Sequence, residues 1–488
     1  MFSAETTSRT GDMESVKQAE DVSAASPEAN NTADLSNSPT KLSKLRKAHI
    51  LLTGFCCCFN SSLGTSIPSG ASAAISKHFN VHSKSQLTLL NSLNMAGFVL
   101  GPLFFGPLSE YIGRRPVIMA SFIGYIVFTL ACSLAPSYPA LLAFRLLTGI
   151  NAAAPVTVAS GLFADILGDP SQRGVAIALY MAVNTIGALC GPLVSGFTSQ
   201  ISWRWAFWAA SLIAAPTLPL VLFLPETFAP VLAIKEAQRQ AKYGEQSCQT
   251  TAINLKPFNA RKIFLRPVTL MAREPKLLFS SLYLTLAYGT IYLFFQAYPI
   301  IFQDFYGLSP GIAGLAYLPI ALGAVFALGG FCLYTRWYDR SAKTSKPWAQ
   351  RETYRRLPLA CLASPCMVIS LFWLGWTSQT SVSPVIPALG GFLFGVGFQL
   401  IFMSMLNYIT DAFCQFAASA HAGAGCLRSL GAIFVPLAAS PMYAQLGIHW
   451  APSVLGFLAL AMGMIPFIFI WRENKLTNAM RTPQTPET

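Results

Sequence analysis

Apolar runs of about 20 residues recur along this chain from Ile50 to Trp471, and that is the length an α-helix needs to cross the hydrocarbon core of a bilayer. No other feature narrows the fold as much, because backbone in hydrocarbon must satisfy its N–H and C=O groups internally. The runs predict spans at 48–70, 86–108, 116–135, 139–163, 174–197 and 204–224, and after a polar segment at 277–301, 310–335, 357–378, 384–409, 414–441 and 450–471. The expected fold class is an all-α membrane protein with twelve transmembrane helices in two six-helix halves. Hydrophobic residues make up 53% of the chain and charged residues 11%, and a soluble domain carries about twice that charged share.

The turn Gly106–Arg115 fixes the orientation. Two apolar runs joined by so short a charged turn leave and re-enter the bilayer on one side, and the Arg114–Arg115 pair assigns that side to the cytoplasm. Counted from this turn, 28 of the 33 Lys and Arg residues fall on the cytoplasmic side, while Lys77, Lys84 and Arg204 fall outside. The formal charge of +13 is therefore loop charge. It is not a nucleic-acid surface, which would need basic residues gathered on a soluble domain. The expected organisation is a disordered cytoplasmic N-terminal tail (1–45), a six-helix bundle (46–224), a cytoplasmic central linker (225–276), a second bundle (277–472) and a cytoplasmic C-terminal tail (473–488). The polar start predicts no cleavable signal peptide, and the sequon at Asn30 lies on the cytoplasmic side.

Several function classes drop out. The eleven cysteines lie mostly in apolar runs. Cys56, Cys57 and Cys58 point around a helix and read as packing residues, so no metal or other cofactor is expected. No phosphate-binding loop is present to use ATP, and no grouping of nucleophile, base and acid supports an enzyme.

Three motifs in the first half carry a resemblance. Gly106-Pro-Leu-Ser-Glu110-Tyr-Ile-Gly113-Arg114-Arg115 follows the second run, Arg145-Leu-Leu-Thr-Gly149 lies in the fourth, and Gly187-x-x-x-Gly191-Pro192-x-x-x-Gly196 lies in the fifth. Leu224-Pro225-Glu226-Thr227 closes the sixth. With the layout from 45 to 475, the chain resembles the major facilitator superfamily, and within it the fungal twelve-span drug:proton antiporters of multidrug and toxin efflux. Tyr111 stands where many members carry a basic residue, and Ser195 replaces a motif glycine. The resemblance implies the major facilitator fold, a plasma-membrane location with vacuole as the alternative, cytoplasmic termini, and a monomer working on a small molecule with protons.

Physical roles for the residues follow. Gly106, Glu110, Gly113, Arg114 and Arg115, with Gly187, Gly191 and Pro192, are the expected gating set. The glycines allow close backbone approach, and Glu110 and Arg114 are placed to pair across the turn, with Asp165 as a third member. Arg145 and Arg428 lie inside spans, where a guanidinium needs a cavity or a partner, yet all 20 acidic residues fall in loops, tails or span ends. Both arginines are candidate substrate ligands, and a structural bond hub is the competing reading for Arg145. Tyr288, Tyr292 and Phe295 form one helical stripe. With Asn60, Asn184, Gln296 and Gln399, and Tyr298 and Asn407 nearby, they supply apolar walls with a few hydrogen-bonding groups. His421, two turns from Arg428, is the candidate proton carrier, with Asp165 and Asp411 in reserve. The expected function is export of a metabolite, toxin or drug by proton antiport with alternating access. The open alternatives are an organic-acid anion exporter or facilitator, and a transporter-like membrane sensor.

Overall fold

The computed structural model describes residues 43–167, 169–234, 260–350, 353–413 and 417–481, and among them there are helices and no strand. The expected N-terminal tail with Asn30, most of the central linker and the end of the C-terminal tail lie outside the described residues.

Each apolar run becomes a helix, and the differences from expectation have local causes. The first span, Lys44–Ser66, continues after a bend at Ile67 as Pro68–Phe79. It outruns its apolar stretch because Ser69 and Ser72 return their hydroxyls to the carbonyls of Ser66 and Ser69, so the polar turn costs little to bury. Asn80 stops it in the left-handed conformation (φ 56°), which asparagine tolerates better than most residues. The second to fifth spans are Lys84–Tyr111, Arg114–Ser133, Tyr138–Ile166 and Pro170–Thr198. The sixth is broken at Pro216 into Trp203–Ala214 and Thr217–Leu222.

In the second half the seventh span is Pro275–Tyr298, prolonged by a wide π turn at Pro299–Phe305. The eighth is Pro310–Leu315 with Leu318–Lys343, the ninth Thr353–Thr377 and the tenth Val385–Ala412. The eleventh is Ala417–Leu437, and the helix from Ala439 to Arg481 turns at Gly447, where φ is 73°. That one glycine replaces the loop expected at 442–449. Helix also extends into the expected C-terminal tail as far as Arg481. Ten of these helices are individually long and apolar enough to cross a membrane. Inside the expected linker, Ala260–Arg273 is helical and packs on the eleventh span, with Met271 and Pro267 against Gly423.

Packing repeats between the halves. The second span lies on the fourth, the third on the fourth and sixth, and the first on the fifth; the eighth lies on the tenth, the ninth on the tenth and twelfth, and the seventh on the eleventh. Across the interface the second span meets the eleventh, and the fifth meets the eighth. This is a twofold arrangement of two bundles about a central seam. Seven of the nine tryptophans are exposed. Several of them, Trp205, Trp373 and Trp376 among these, sit near helix ends, as in the aromatic belts of membrane proteins, while Leu322, Val325 and Phe326 form part of an exposed apolar face between the ends of the eighth span.

Candidate functional site

The end of the bundle that carries the Gly106–Arg115 turn, here the basic end, is organised by Glu226. Gly113 takes a φ of 106° that L-residues rarely adopt, and the turn delivers the free N-terminus of the third span to the Glu226 carboxylate. Glu226 Oε1 accepts from the Arg114 N–H (2.9 Å) and from those of Thr227 and Phe228 (3.0 Å each), and Oε2 accepts from the Arg115 N–H (3.1 Å). A carboxylate at a helix N-terminus satisfies orphan donors and complements the helix dipole. Glu110 is not the partner expected for Arg114. It is exposed at the end of the second span, while the Arg114 side chain turns inward to Asp165 (3.5 Å) and the Ser109 hydroxyl (2.7 Å). Gly106 is also not required by packing, since a Cβ there would meet only Thr157 at an ordinary 3.8 Å. Glu226→Gln is expected to lower the melting temperature by removing an N-terminal cap, a loss of about 1 kcal/mol, and Glu110→Gln to leave it unchanged; thermal unfolding of the purified variants checks both.

The second half repeats the device. Arg356 Nε donates to Asp411 at 2.9 Å, and Arg355 faces Asp339 at 3.4 Å. Asp165 and Asp411, both candidate proton carriers, thus occupy matching places in ion pairs at the basic end. Between the bundles at this end lies a cleft of about 480 Å³, lined by Leu51 and Phe55 of the first span, Leu179 of the fifth, and Thr335, Arg336 and Asp339 of the eighth.

The opposite end is closed. Gly187 and Gly191 lie against the first span, at Phe59 and at Ser66 and Ile67. Gly196 faces the other bundle: a Cβ there would lie 2.5 Å from the Pro310 carbonyl oxygen. Pro192 sits beside Gly314 at the same seam. Lys84 and Asp304, on different bundles, pair at 2.7 Å, with both side chains more than half exposed. An exposed pair adds little stability, so backbone contact makes this seal. Sequence reasoning had missed the roles of Gly196, Lys84 and Asp304, because each partner lies in the other half.

Midway along the seam the polar candidates meet. The Arg428 guanidinium lies over the rings of Tyr288 (4.9 Å) and Phe402 (5.5 Å), a cation–π arrangement. Tyr288 contacts Tyr292 (4.8 Å between ring centres), and Tyr292 contacts Phe295 (5.3 Å), so the expected stripe is real. The Tyr292 hydroxyl reaches Thr65 across the seam (2.9 Å), and Thr185 donates to Gln399 Oε1 (2.8 Å). Asn184 accepts from Ser62 and Cys58. Gln296 is half-buried and makes none of these contacts. His421 is half-buried and bonds to Thr410 through Nε2 (2.8 Å).

Two candidate ligands lie elsewhere. Arg145 is 1% exposed and closed off from the seam. Its Nη1 donates to Gly64 O (2.7 Å), Nη2 to Thr65 O (3.0 Å) and Nε to Leu90 O (3.0 Å). The bend of the first span explains this. Pro68 has no N–H, so the Gly64 carbonyl four residues earlier lacks its helical donor, and Arg145 supplies one. Asn60 likewise faces its own bundle, donating to Cys56 O and Thr217. Asn407 returns its amide to Met403 O within the tenth span.

This architecture has known counterparts. The family model for the Major Facilitator Superfamily matches residues 51–436. The chain belongs to the major facilitator superfamily. Among similar proteins, "Efflux pump FUB11" of Gibberella moniliformis is 34% identical over 443 residues, covering 89% of this chain and 74% of that one. The "Citrinin biosynthesis cluster MFS transporter mrr1" of Monascus ruber is 35% identical over 426 residues, covering 85% and 84%. Of solved structures, the proton:xylose symporter XylE bound to 6-bromo-6-deoxy-D-glucose superposes with a TM-score of 0.62 at 16% identity, covering 87% of this chain and 95% of that one. That likeness shows a shared fold. The protein is a multi-pass membrane transporter of this superfamily and not an enzyme. The superfamily's parallel repeats correspond to the two bundles.

Proposed function

We propose that this transporter exports a small organic compound from the cytoplasm across the plasma membrane by proton antiport, its two bundles rocking about the seam. The observation that carries the reading is the seam itself: polar and aromatic groups gathered at Arg428, Tyr288, Tyr292 and Gln399 between the bundles, which close on each other at one end and leave a cleft between them at the basic end. The basic end is the cytoplasmic one by the distribution of Lys and Arg. Kinship with proteins named as efflux pumps and biosynthesis-cluster transporters supports the outward direction and metabolite cargo. His421 is the proton carrier in this reading: Asp165 and Asp411 are held by arginines, whereas His421 has a neutral hydroxyl for its partner and shares a helix face with Arg428.

Efflux measured in proteoliposomes, with and without an inward proton gradient, tests this. The gradient is expected to accelerate efflux, and His421→Gln to abolish the acceleration while leaving substrate exchange at equal pH. Flux that ignores the gradient in the native protein would remove the antiport reading.

A further inference from the structure

The seam holds two buried donors for which the described residues offer no acceptor. Arg428 Nε and Gln399 Nε2 have no hydrogen-bond partner among the described residues, and Gln399 is wholly buried. Its carbonyl oxygen is already taken by Thr185, so only the NH₂ is left over. Phe402 lies three residues along the tenth span from Gln399 and directly beneath the Arg428 guanidinium. Side chains so spaced on a helix sit about 5–6 Å apart at Cβ, so one small ligand spans both donors. Every carboxylate among the described residues lies at or beyond the end of an apolar run, and the pairs at the basic end are already made.

Resting on the export reading, we propose that the cargo is an aromatic or conjugated carboxylic acid, bound as its anion with the carboxylate between Arg428 and Gln399 and the ring against Tyr288 and Phe402. The chemistry selects this class. An ionised carboxylate is acceptor-only, and it matches a guanidinium in plane and charge. Tyr288 and Phe402, 5.8 Å apart between ring centres, offer flat surface next to that anion. The site has one cation and one amide, too few donors for a dianionic phosphate. A cationic cargo would meet Arg428 with no carboxylate to hold it. Binding the anion also neutralises the Arg428 charge, which no carboxylate among the described residues pairs with, so the loaded carrier closes over a neutral pair. Exporting an anion moves negative charge outward, and an inside-negative potential favours that step.

Purified protein titrated with 1-naphthoate, 1-naphthalenemethanol and 1-naphthylmethylamine, with melting temperature as readout, tests the site; the ring is constant and only the head group changes. Ligand that binds the folded state raises the midpoint. The acid is expected to raise it, and the alcohol and amine to leave it in place. Arg428→Gln is expected to weaken the acid about tenfold or more, the scale of one charge-assisted hydrogen bond. Gln399→Glu places a carboxylate beside Arg428 and is expected to remove the response to acid while melting no lower than the native protein, which separates a lost site from a lost fold. Equal stabilisation by alcohol or amine, or an undiminished acid response in both variants, would overturn the proposal. Acid-specific stabilisation without any flux keeps the site and sinks the export reading. Gradient-driven efflux of the alcohol or amine with no acid response does the reverse.

Discussion

Arg145→Leu is expected to cost the first bundle its fold. The side chain donates to three carbonyls on two other helices, and Gly64 O has no alternative donor because Pro68 lacks an N–H. A buried carbonyl left unmet costs about 1–3 kcal/mol. Gly64 O would be left bare, while Leu90 O and Thr65 O would each lose one bond and keep their place in a helix; together these losses are a large share of a typical folding free energy, about 5–15 kcal/mol. Water cannot relieve the loss in a span interior. Arg145→Lys keeps the charge but not the fork geometry, and is expected to fall between. Thermal unfolding and monodispersity in detergent check this, and a leucine variant that melts with the native protein would refute it. A double-mutant cycle sharpens the test. Pro68→Ala restores a donor to Gly64, so Arg145→Leu is expected to cost less in that background. Equal costs in the two backgrounds would mean the proline bend is not what Arg145 serves.

Gly196→Leu is expected to abolish transport while the protein still folds. A Cβ at this position would lie 2.5 Å from Pro310 O and 3.0 Å from its carbonyl carbon. Those are backbone atoms of the other bundle, so no rotamer change relieves the collision. The fifth and eighth spans must then part at that end, and the carrier stays open there. Gly196→Ala is expected to slow transport less. Ser69 lies buried beside this seam. A cysteine introduced there, with other reactive cysteines removed, is expected to react slowly with an impermeant maleimide in the native carrier and quickly in Gly196→Leu. Unchanged labelling with normal transport would show that the contact is not the seal.

Much of this was legible in the sequence where the governing physics is local. The Gly113–Arg115 turn is one such case: the two arginines ended an apolar run, and the glycine adopts the positive φ that made a sharp turn possible. The Tyr288–Tyr292–Phe295 stripe is another, since side-chain spacing on one helix sets it. The competing hub reading of Arg145 was available because a buried guanidinium must find oxygen somewhere. Which oxygen was not legible. Glu110, four residues away, looked like the partner of Arg114, but the helix carries it outward to solvent, and Glu226 and Asp165 arrive from more than 50 residues away. Gly196 read as one more small residue in its own helix until the eighth span lay against it.

The sequence alone determined how many times the chain crosses the membrane, which end is basic, and that two arginines with no acid beside them in sequence must live inside. Those follow from bilayer thickness and the cost of bare polar groups in hydrocarbon, which act on each segment separately. The tertiary structure alone decided that Arg145 is a brace and Arg428 a free donor. That depends on which helices stand next to each other: the carbonyls that occupy Arg145 lie 55 to 81 residues away along the chain, while no acceptor reaches Arg428 Nε among the described residues.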